Sequence, residues 1–226
     1  MSRMTEFSIG QRLELVRGRV VAASLRVGRD PSDVSLIAVS KTQSADAIRE
    51  AYEAGQRDFG ENYVQELVAK ANSLKDLVDI RWHLIGHLQS NKVKHVVGLV
   101  SVIHSVDRVR LVHELGRRGD VGCGLDVLVE VNVDGEDSKT GASMDDALGV
   151  VNSVRECDGL RLRGLMTVPP FDLDVREVVV HFERLRLMAE GFGLRELSMG
   201  MSHDFEEAIG CGATMIRVGT LIFGSR

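Results

Sequence analysis

The chain has 226 residues, of which 44% are hydrophobic and 27% are charged, with only 3 prolines. This composition excludes a disordered or collagen-like chain, and the formal net charge of -5 argues against general nucleic-acid binding, because an acidic protein gains little from counterion release. Cys123, Cys157 and Cys211 are far apart and form no CxxC pair, so neither a disulfide framework nor a thiolate metal site is expected.

The N-terminal segment MSRMTEFSIGQ lacks the apolar core of a signal peptide. The sequence also contains no run of about 18 apolar residues, the length needed to cross a membrane. We therefore expect a soluble, cytoplasmic protein with no membrane partner.

Periodic patterns divide the chain into regular elements. A first helix is predicted over residues 5–28, ended by Asp30–Pro31, because apolar side chains recur there at helical spacing: Leu13, Val16, Val20 and Ala23. Strand-like segments then follow at 34–40, 57–60, 81–86, 99–105, 125–133, 160–168, 195–201 and 214–219. Helix-like segments lie between or after them at 44–55, 63–74, 90–97, 107–119, 143–156, 174–191 and 204–212.

Eight strands, each but the last followed by a helix, indicate a parallel sheet. We predict an α/β fold, a (β/α)8 TIM barrel forming a single domain over residues 1–226, with residues 1–33 as an extra N-terminal helix packed on the barrel. An open doubly wound sheet is the alternative, but the first strand is followed by SKTQSADA rather than by GxGxxG.

In a barrel of this kind the chemistry lies where strands end and loops begin. Lys41 follows the apolar strand 34–40 at the barrel mouth. Its amine is partly shielded from water there and is available for Schiff-base chemistry. The alternative is a solvated lysine at the end of a strand.

Small residues near the C-terminus indicate an anion site. Gly200 and Ser202 precede a helix that starts near Asp204, and Gly219–Thr220 follows the last strand. Backbone N–H groups at such a helix start bind anions, and the loops after strands seven and eight of these barrels commonly hold phosphate. Taken singly, these residues are equally consistent with turn glycines and a helix cap.

Arg217 stands two residues before Gly219, so both are predicted to face the barrel mouth. A guanidinium only donates hydrogen bonds. Against a pyridine ring it would donate to an unprotonated nitrogen, which keeps the ring a weak electron sink.

Several segments together are similar to one protein family. They are IAVSKTQ, FGENYVQE, WHLIGHLQSNK, VNVDGEDSKTG, LRGLMTV, LSMGMSHDFEEAI and IRVGTLIFG, which span residues 34–226 in order. Each segment is weak alone, but the combination resembles the YggS/PROSC family of pyridoxal 5′-phosphate (PLP) homeostasis proteins. Residues 1–33 carry little of the resemblance.

The resemblance implies a fold shared with the N-terminal domain of alanine racemase and PLP as the cofactor. It makes Lys41 the residue that holds PLP covalently as an aldimine, and Arg217 the residue that faces the pyridine nitrogen. The other cofactor-binding residues it implies are Ser198, Ser202, Gly219 and Thr220 around the phosphate, and Asn62 and Met166 near the cofactor. His203 receives no role.

Other candidates are weaker. No metal site is expected, because His83 and His87 lie on a strand and its turn rather than on one helix face. His87 could contribute to the site, Lys139 could contact an anion or a substrate carboxylate, and Lys92 and Lys94 could form a partner surface. For each of these residues the alternative is an ordinary solvated surface position.

Three functions are consistent with the sequence. The first is a PLP carrier that holds the cofactor on Lys41 and delivers it, with PLP-dependent apo-enzymes as its partners. The second is a PLP-dependent racemase, but racemisation needs a second base, which the related racemases supply from a further domain, and this chain ends just after its last strand. The third is a barrel that binds another phosphorylated metabolite without a Schiff base. We expect the first, in a monomeric protein without robust catalytic turnover.

Overall fold

The computed structural model describes residues 7–119, 124–135, 140–170 and 172–224. The strands are β1 (Ser35–Val39), β2 (Asp58–Glu61), β3 (Arg81–Leu84), β4 (Val102–Val106), β5 (Leu125–Asn132), β6 (Ala142–Ser143), β7 (Leu160–Met166), β8 (Glu196–Ser198) and β9 (Met215–Val218). The helices are α1 (Ile9–Arg26), α2 (Ala45–Glu53), α3 (Val64–Ser73), α4 (Val109–Gly116), α5 (Ala147–Arg155), α6 (Val175–Gly191), α7 (Phe205–Gly210) and α8 (Thr220–Phe223).

The strands close into a parallel barrel. Eight of them pair in the cyclic order β1-β2-β3-β4-β5-β7-β8-β9, and β9 pairs with β1, so that Ile37 lies opposite Arg217. The short β6 pairs with the end of β5, outside the ring. The predicted (β/α)8 barrel is therefore confirmed, and closure leaves no exposed sheet edge in the ring.

The side chains of the strands alternate between two apolar layers, one outside and one inside the barrel. On β5, Val127 and Val129 belong to the core between the strands and the surrounding helices. Leu128 instead points into the barrel, where it packs with Ile37 and Met166. Successive side chains of a strand face opposite sides, so one continuous apolar run fills both layers.

The N-terminal helix α1 packs its apolar face on the barrel. The four side chains predicted for this face are all buried: Leu13, Val16, Val20 and Ala23. Ser8 caps the helix in a reciprocal arrangement with Gln11. The helix ends at Arg26, earlier than predicted, because Gly28 adopts φ +69 and reverses the chain. Asp30–Pro31 instead begins a short 3-10 turn.

Two other predicted elements differ in detail. The predicted helix 90–97 is a 3-10 helix, Ser90–His95, and Val93 and Val96 are both buried. A three-residue spacing places side chains on one face of a 3-10 helix. The predicted helix 143–156 starts later, as α5, because residues 142–143 pair with β5 instead.

Cys157 and Cys211 are free thiols, whereas Cys123 lies outside the described residues. Burial, with the nearby Glu183, raises the pKa of the Cys211 thiol to about 12, which leaves it a poor nucleophile. Within the described part of the chain, no helix is both long and apolar enough to cross a bilayer.

Candidate functional site

A cavity of about 380 Å³ opens at the carboxyl ends of the barrel strands. Six of the residues predicted for the site line it: Lys41, Asn62, Ser202, Arg217, Gly219 and Thr220. Further lining residues, which the sequence analysis did not single out for the site, are Val39, Gln43, Ile85, Val168, Met201, His203 and Gly224. The cavity thus joins an apolar wall to a few polar groups, the usual composition of a small-molecule site.

A larger cavity, of about 820 Å³, lies at the opposite end of the barrel. Several of its charged lining residues pair with one another, as in the contacts of Asp126 with Arg163 (2.7 Å) and of Asp58 with Arg81 (2.5 Å). In β/α barrels this amino-terminal end serves stability, whereas ligands bind at the other end. We therefore take the smaller cavity as the candidate site.

Lys41 lies just after β1 and is half-buried. Its side chain lines the cavity. In the described part of the chain its amine has no hydrogen-bond or ion-pair partner. An unpaired primary amine at the wall of a cavity is available to bond a ligand.

The loops after β8 and β9 meet at one end of the cavity. The Ser202 hydroxyl accepts a hydrogen bond from the Gly219 N–H (3.3 Å). Gly219 precedes α8, whose first N–H groups have no acceptor within the helix. These N–H groups and the hydroxyls of Ser202 and Thr220 make this end of the cavity rich in donors for an anion.

Gly200 allows the first of these loops to approach α7. Its φ of +93 lies in the region that favours glycine. A Cβ at this position would lie only 2.6 Å from the Cβ of Ala208. A side chain here would therefore displace the loop that carries Ser202.

Arg217 is almost completely buried, at 4% exposure. Its Nη1 donates to Ser198 Oγ (2.6 Å) and its Nη2 to the Thr167 carbonyl (2.8 Å). Burial lowers the pKa of Arg217 to about 10, although the carboxylates of Asp204 and Glu130 oppose this shift. The guanidinium therefore stays charged near neutral pH, with a direction fixed by two acceptors.

A chain of hydrogen bonds supports Arg217 from inside the barrel. Beyond Arg217, Ser198 Oγ lies 2.8 Å from His104 Nδ1, and His104 Nε2 lies 2.9 Å from His83 Nδ1. His83 Nε2 lies 3.0 Å from Asp58 Oδ1. Arginine only donates and an ionised carboxylate only accepts. Every proton in this chain has an acceptor when each group donates to the next, from Arg217 toward Asp58.

The pKa values of two groups agree with this direction. Burial, with the nearby guanidinium of Arg217, holds the pKa of His104 well below its usual value, so His104 is neutral. Burial alone would raise the pKa of Asp58, but hydrogen bonds from Arg81 and His83 outweigh it and lower the pKa to about 2. Asp58 is therefore the ionised acceptor at the end of the chain.

Two predicted residues lie beneath the cavity rather than in its lining. Ser198 is fully buried, and its hydroxyl bonds Arg217 and His104. Met166 is fully buried in the apolar interior of the barrel. The structure thus places Ser198 to orient Arg217, and the phosphate contact expected from the resemblance stays a prediction.

Of the remaining candidates, His87, Lys92 and Lys94 do not line the cavity that contains Lys41. His87 is exposed and pairs with Asp107 (3.3 Å), and it lines a second groove together with Lys92. Lys94 is exposed on the 3-10 helix, and Lys139 lies outside the described residues. Among the residues with described positions, no group of three or more His, Cys, Asp or Glu side chains could hold a metal ion.

Sequence reasoning missed the chain of hydrogen bonds that runs from Arg217 to Asp58 inside the barrel. His83 was considered only together with His87, and His104 was not considered. The signal was available, since each histidine stands at an inward position of a predicted strand, where a polar side chain requires a partner. The identity of that partner depends on which strands lie side by side.

The fold and the site define a family. The family model described as "Alanine racemase, N-terminal domain" matches residues 22–226. The chain therefore belongs to this family of barrels, as the closed ring of parallel strands with an N-terminal helix also indicates.

Similar proteins narrow this assignment. A relative from Pseudomonas aeruginosa, named pyridoxal phosphate homeostasis protein, is 44% identical over 97% of this chain and 96% of its own length. A relative from Aquifex aeolicus with the same name is 42% identical over 96% of this chain and 97% of its own length. Within the barrel family, the chain is thus a member of the pyridoxal phosphate homeostasis proteins.

A solved structure supports the same assignment. PipY from Synechococcus elongatus PCC7942, determined with PLP bound, is 41% identical and superposes with a TM-score of 0.82. The match covers 96% of this chain and 100% of that chain. The resemblance stated from the sequence motifs is therefore confirmed.

Proposed function

We propose that this protein binds PLP in the cavity at the carboxyl ends of the strands and serves in PLP homeostasis. The observation that carries the proposal is the convergence of Lys41, Arg217 and the Ser202–Gly219 loop pair on one cavity. A lysine amine, a buried guanidinium and a donor-rich loop pair match the aldehyde, the ring nitrogen and the phosphate of PLP, respectively. The relatives named for PLP homeostasis and the PLP-bound PipY structure support the same ligand.

PLP supplies an aldehyde, whose carbon a primary amine can bond with loss of water. Lys41 presents an amine without a competing partner, and we propose that it holds PLP covalently. Ser202, Gly219 and Thr220 would bind the phosphate, and Asn62 lines the same cavity. The cavity volume of about 380 Å³ suits a small ligand.

Arg217 favours storage over turnover. Because a charged guanidinium donates and cannot accept, it stabilises a pyridine nitrogen that carries no proton. An unprotonated ring withdraws electrons weakly, which disfavours the carbanion chemistry of PLP-dependent enzymes. We propose that the protein holds and releases PLP rather than converting amino acids rapidly.

Borohydride trapping tests the proposal. Purified protein is incubated with PLP, its visible absorbance is recorded, and borohydride is added before peptide mass spectrometry. We expect a yellow protein that loses its colour on reduction and carries a stable phosphopyridoxyl group on Lys41. Lys41→Ala should lack both the colour and the adduct, whereas Lys94→Ala, which removes an exposed lysine on the 3-10 helix, should keep both.

Two results would contradict this assignment. If Lys41→Ala kept the wild-type spectrum, covalent attachment at Lys41 would be wrong. If the wild type bound PLP no better than inorganic phosphate and formed no adduct, the cavity would instead belong to another phosphorylated metabolite. A racemase would be recognised by loss of optical rotation of a single alanine enantiomer at about 1 per second or faster, a common enzymatic level.

Delivery of PLP and the assembly state are parts of the same proposal. We propose that the protein acts as a monomeric single domain and passes PLP to PLP-dependent apo-enzymes. Mixing PLP-loaded protein with such an apo-enzyme, in the presence of a scavenger for free PLP, should restore enzyme activity. Sedimentation velocity should give the mass of one chain. A dimer, or no recovery with the scavenger present, would contradict these points.

A further inference from the structure

The backbone beside Lys41 is strained. Thr42 has φ +64, and no other non-glycine residue in the described part of the chain has a positive φ. A β-branched residue in this region is a genuine outlier and raises the energy of the folded backbone. Such a conformation persists only where surrounding contacts enforce it.

Glu66, in the first turn of α3, provides one of these contacts. Its Oε1 accepts a hydrogen bond from the Thr42 N–H (2.5 Å). The same oxygen accepts from Lys70 Nζ (2.7 Å), one helical turn further along. The strained peptide group is thereby fixed to a helix that buried side chains hold against the barrel, including Leu67 and Ala71.

Lys70 extends the contacts to the other side of Lys41. Its ammonium is buried, at 7% exposure, and also donates to the Ser40 carbonyl (2.6 Å) and to Glu61 Oε1 (2.7 Å). All three ammonium protons therefore have acceptors. Ser40 Oγ donates to the same Glu61 oxygen (2.6 Å). We call Glu61, Glu66 and Lys70 the Lys70 network; it holds both neighbours of Lys41.

The network is poorly suited to stability alone. It contains two carboxylates and one ammonium, and Glu61 Oε2 is buried without a hydrogen-bond partner among the described residues. Burial raises the pKa of Glu61, although hydrogen bonds from Lys70 and Ser40 oppose the shift. Buried ion pairs seldom stabilise a fold more than apolar packing does. A glycine at position 42 would also adopt this φ without strain.

We propose that the Lys70 network is a positioning device for Lys41, which fixes the backbone of residues 40 and 42 so that the amine enters the cavity. This inference rests on the proposed function. None of its members lines the cavity, so they act through Lys41. A group held in the reacting geometry bonds its partner faster, whereas a misplaced group loses rate. The network should therefore set how fast PLP is captured, and the phosphate-binding loops should set how tightly it is held.

The test separates these two quantities. Stopped-flow absorbance gives the rate constant for covalent capture of PLP, and titration with pyridoxine 5′-phosphate, which has an alcohol in place of the aldehyde, gives non-covalent affinity. Glu66→Ala removes the acceptor of the Thr42 N–H. We expect it to lower the capture rate by about 10- to 100-fold and to leave the affinity for pyridoxine 5′-phosphate unchanged. The control is Glu114→Ala on α4, which removes a surface ion pair with Arg118. It should change neither the capture rate nor the affinity for pyridoxine 5′-phosphate.

A second substitution tests whether the backbone conformation of residue 42 is the cause of the slower PLP capture in Glu66→Ala. Thr42→Gly removes the steric reason for the strain, so Glu66→Ala should lower the capture rate by less than about threefold in that background. A purely stabilising role of Glu66 would be revealed by thermal unfolding and would not be rescued by the glycine. If Glu66→Ala does not fold, Glu66→Met, which keeps most of the side-chain volume but has no oxygen acceptor, is measured in both backgrounds, with the same rescue expected.

The outcomes distinguish this inference from the proposed function. A wild-type capture rate in Glu66→Ala, or a slow rate that Thr42→Gly does not restore, would overturn the positioning role while Lys41 still carries PLP. If the wild type itself forms no borohydride-stable adduct, the proposed function is wrong and the positioning role is wrong with it.

Discussion

Two neighbouring strands, β1 and β9, each bring a basic side chain to the same cavity, and the two side chains are held in place in different ways. Lys41 is held through its backbone, by charged groups packed between β2 and α3. Arg217 is held through its side chain, by neutral groups inside the barrel. A nucleophilic amine must stay unpaired, so only its backbone can be anchored. A guanidinium that orients a ligand can be fixed directly, because it has donors to spare.

The largest effect on PLP binding is expected at Arg217. Arg217→Met removes the charge and all donors while keeping much of the side-chain volume. We expect PLP affinity to fall by about 10- to 100-fold, the loss typical of a hydrogen bond to a charged donor. Covalent capture at saturating PLP should persist. Equilibrium titration and borohydride trapping measure these quantities.

This variant should behave oppositely to Glu66→Ala, which slows capture and spares affinity. The free energy of unfolding should change by less than about 2 kcal/mol, because losing a buried charge offsets the lost hydrogen bonds. Arg110→Met, on the exposed side of α4, is the matched control. Unchanged PLP affinity in Arg217→Met would mean that the buried guanidinium serves only the fold.

The next effect is expected inside the barrel. His104→Leu interrupts the hydrogen-bond chain and leaves Ser198 and His83 without their shared partner. Each orphaned buried polar group raises the energy of the folded state by about 1–3 kcal/mol. We expect urea unfolding to show a loss of about 2–4 kcal/mol, and PLP affinity to fall by less than in Arg217→Met.

His95→Leu, at an exposed position of the 3-10 helix, provides the comparison for this variant. A surface substitution of this kind usually changes stability by less than about 0.5 kcal/mol. Equal stability of the two leucine variants would contradict a continuous chain from Arg217 to Asp58.

The smallest effect is a difference in pH dependence. The pKa of Asp58 is lowered to about 2 in the folded state, against about 3.9 for an unfolded chain. The unfolded state therefore binds more protons in this window, so the contribution of Asp58 is complete above about pH 4 and is lost as the pH falls toward 2. Allowing for solvent screening at the exposed Arg81, we expect about 1–2 kcal/mol.

Glu61 should show the opposite sign. Its pKa is raised by burial, so the folded state binds the proton more tightly, and stability falls as the pH rises above the ordinary glutamate pKa of about 4.3. Urea unfolding of wild type, Asp58→Asn and Glu61→Gln between pH 2 and 7 measures both. Parallel pH profiles of the two variants would show that the pKa values of Asp58 and Glu61 are not shifted in opposite directions.

Much of the fold was predictable because it is local. Apolar runs and turn residues reported the eight barrel strands in order, and the spacing of Leu13, Val16, Val20 and Ala23 reported the buried face of α1. The errors were also local. Gly28 ended α1 early, and pairing of residues 142–143 with β5 delayed α5. Burial leaves a periodic pattern in the sequence, whereas a single strand pairing leaves none.

The sequence by itself determined the strand ends that face the cavity, and thus the positions of Lys41, Ser202 and Arg217. Only the tertiary structure decided what holds them. The contact of His104 with Ser198 joins residues 94 positions apart, and the N–H of Thr42, which has a positive φ, donates to a carboxylate 24 positions away. Such contacts arise when the barrel closes and the strand register is set, and neither composition nor periodicity encodes the distance between two side chains on different strands.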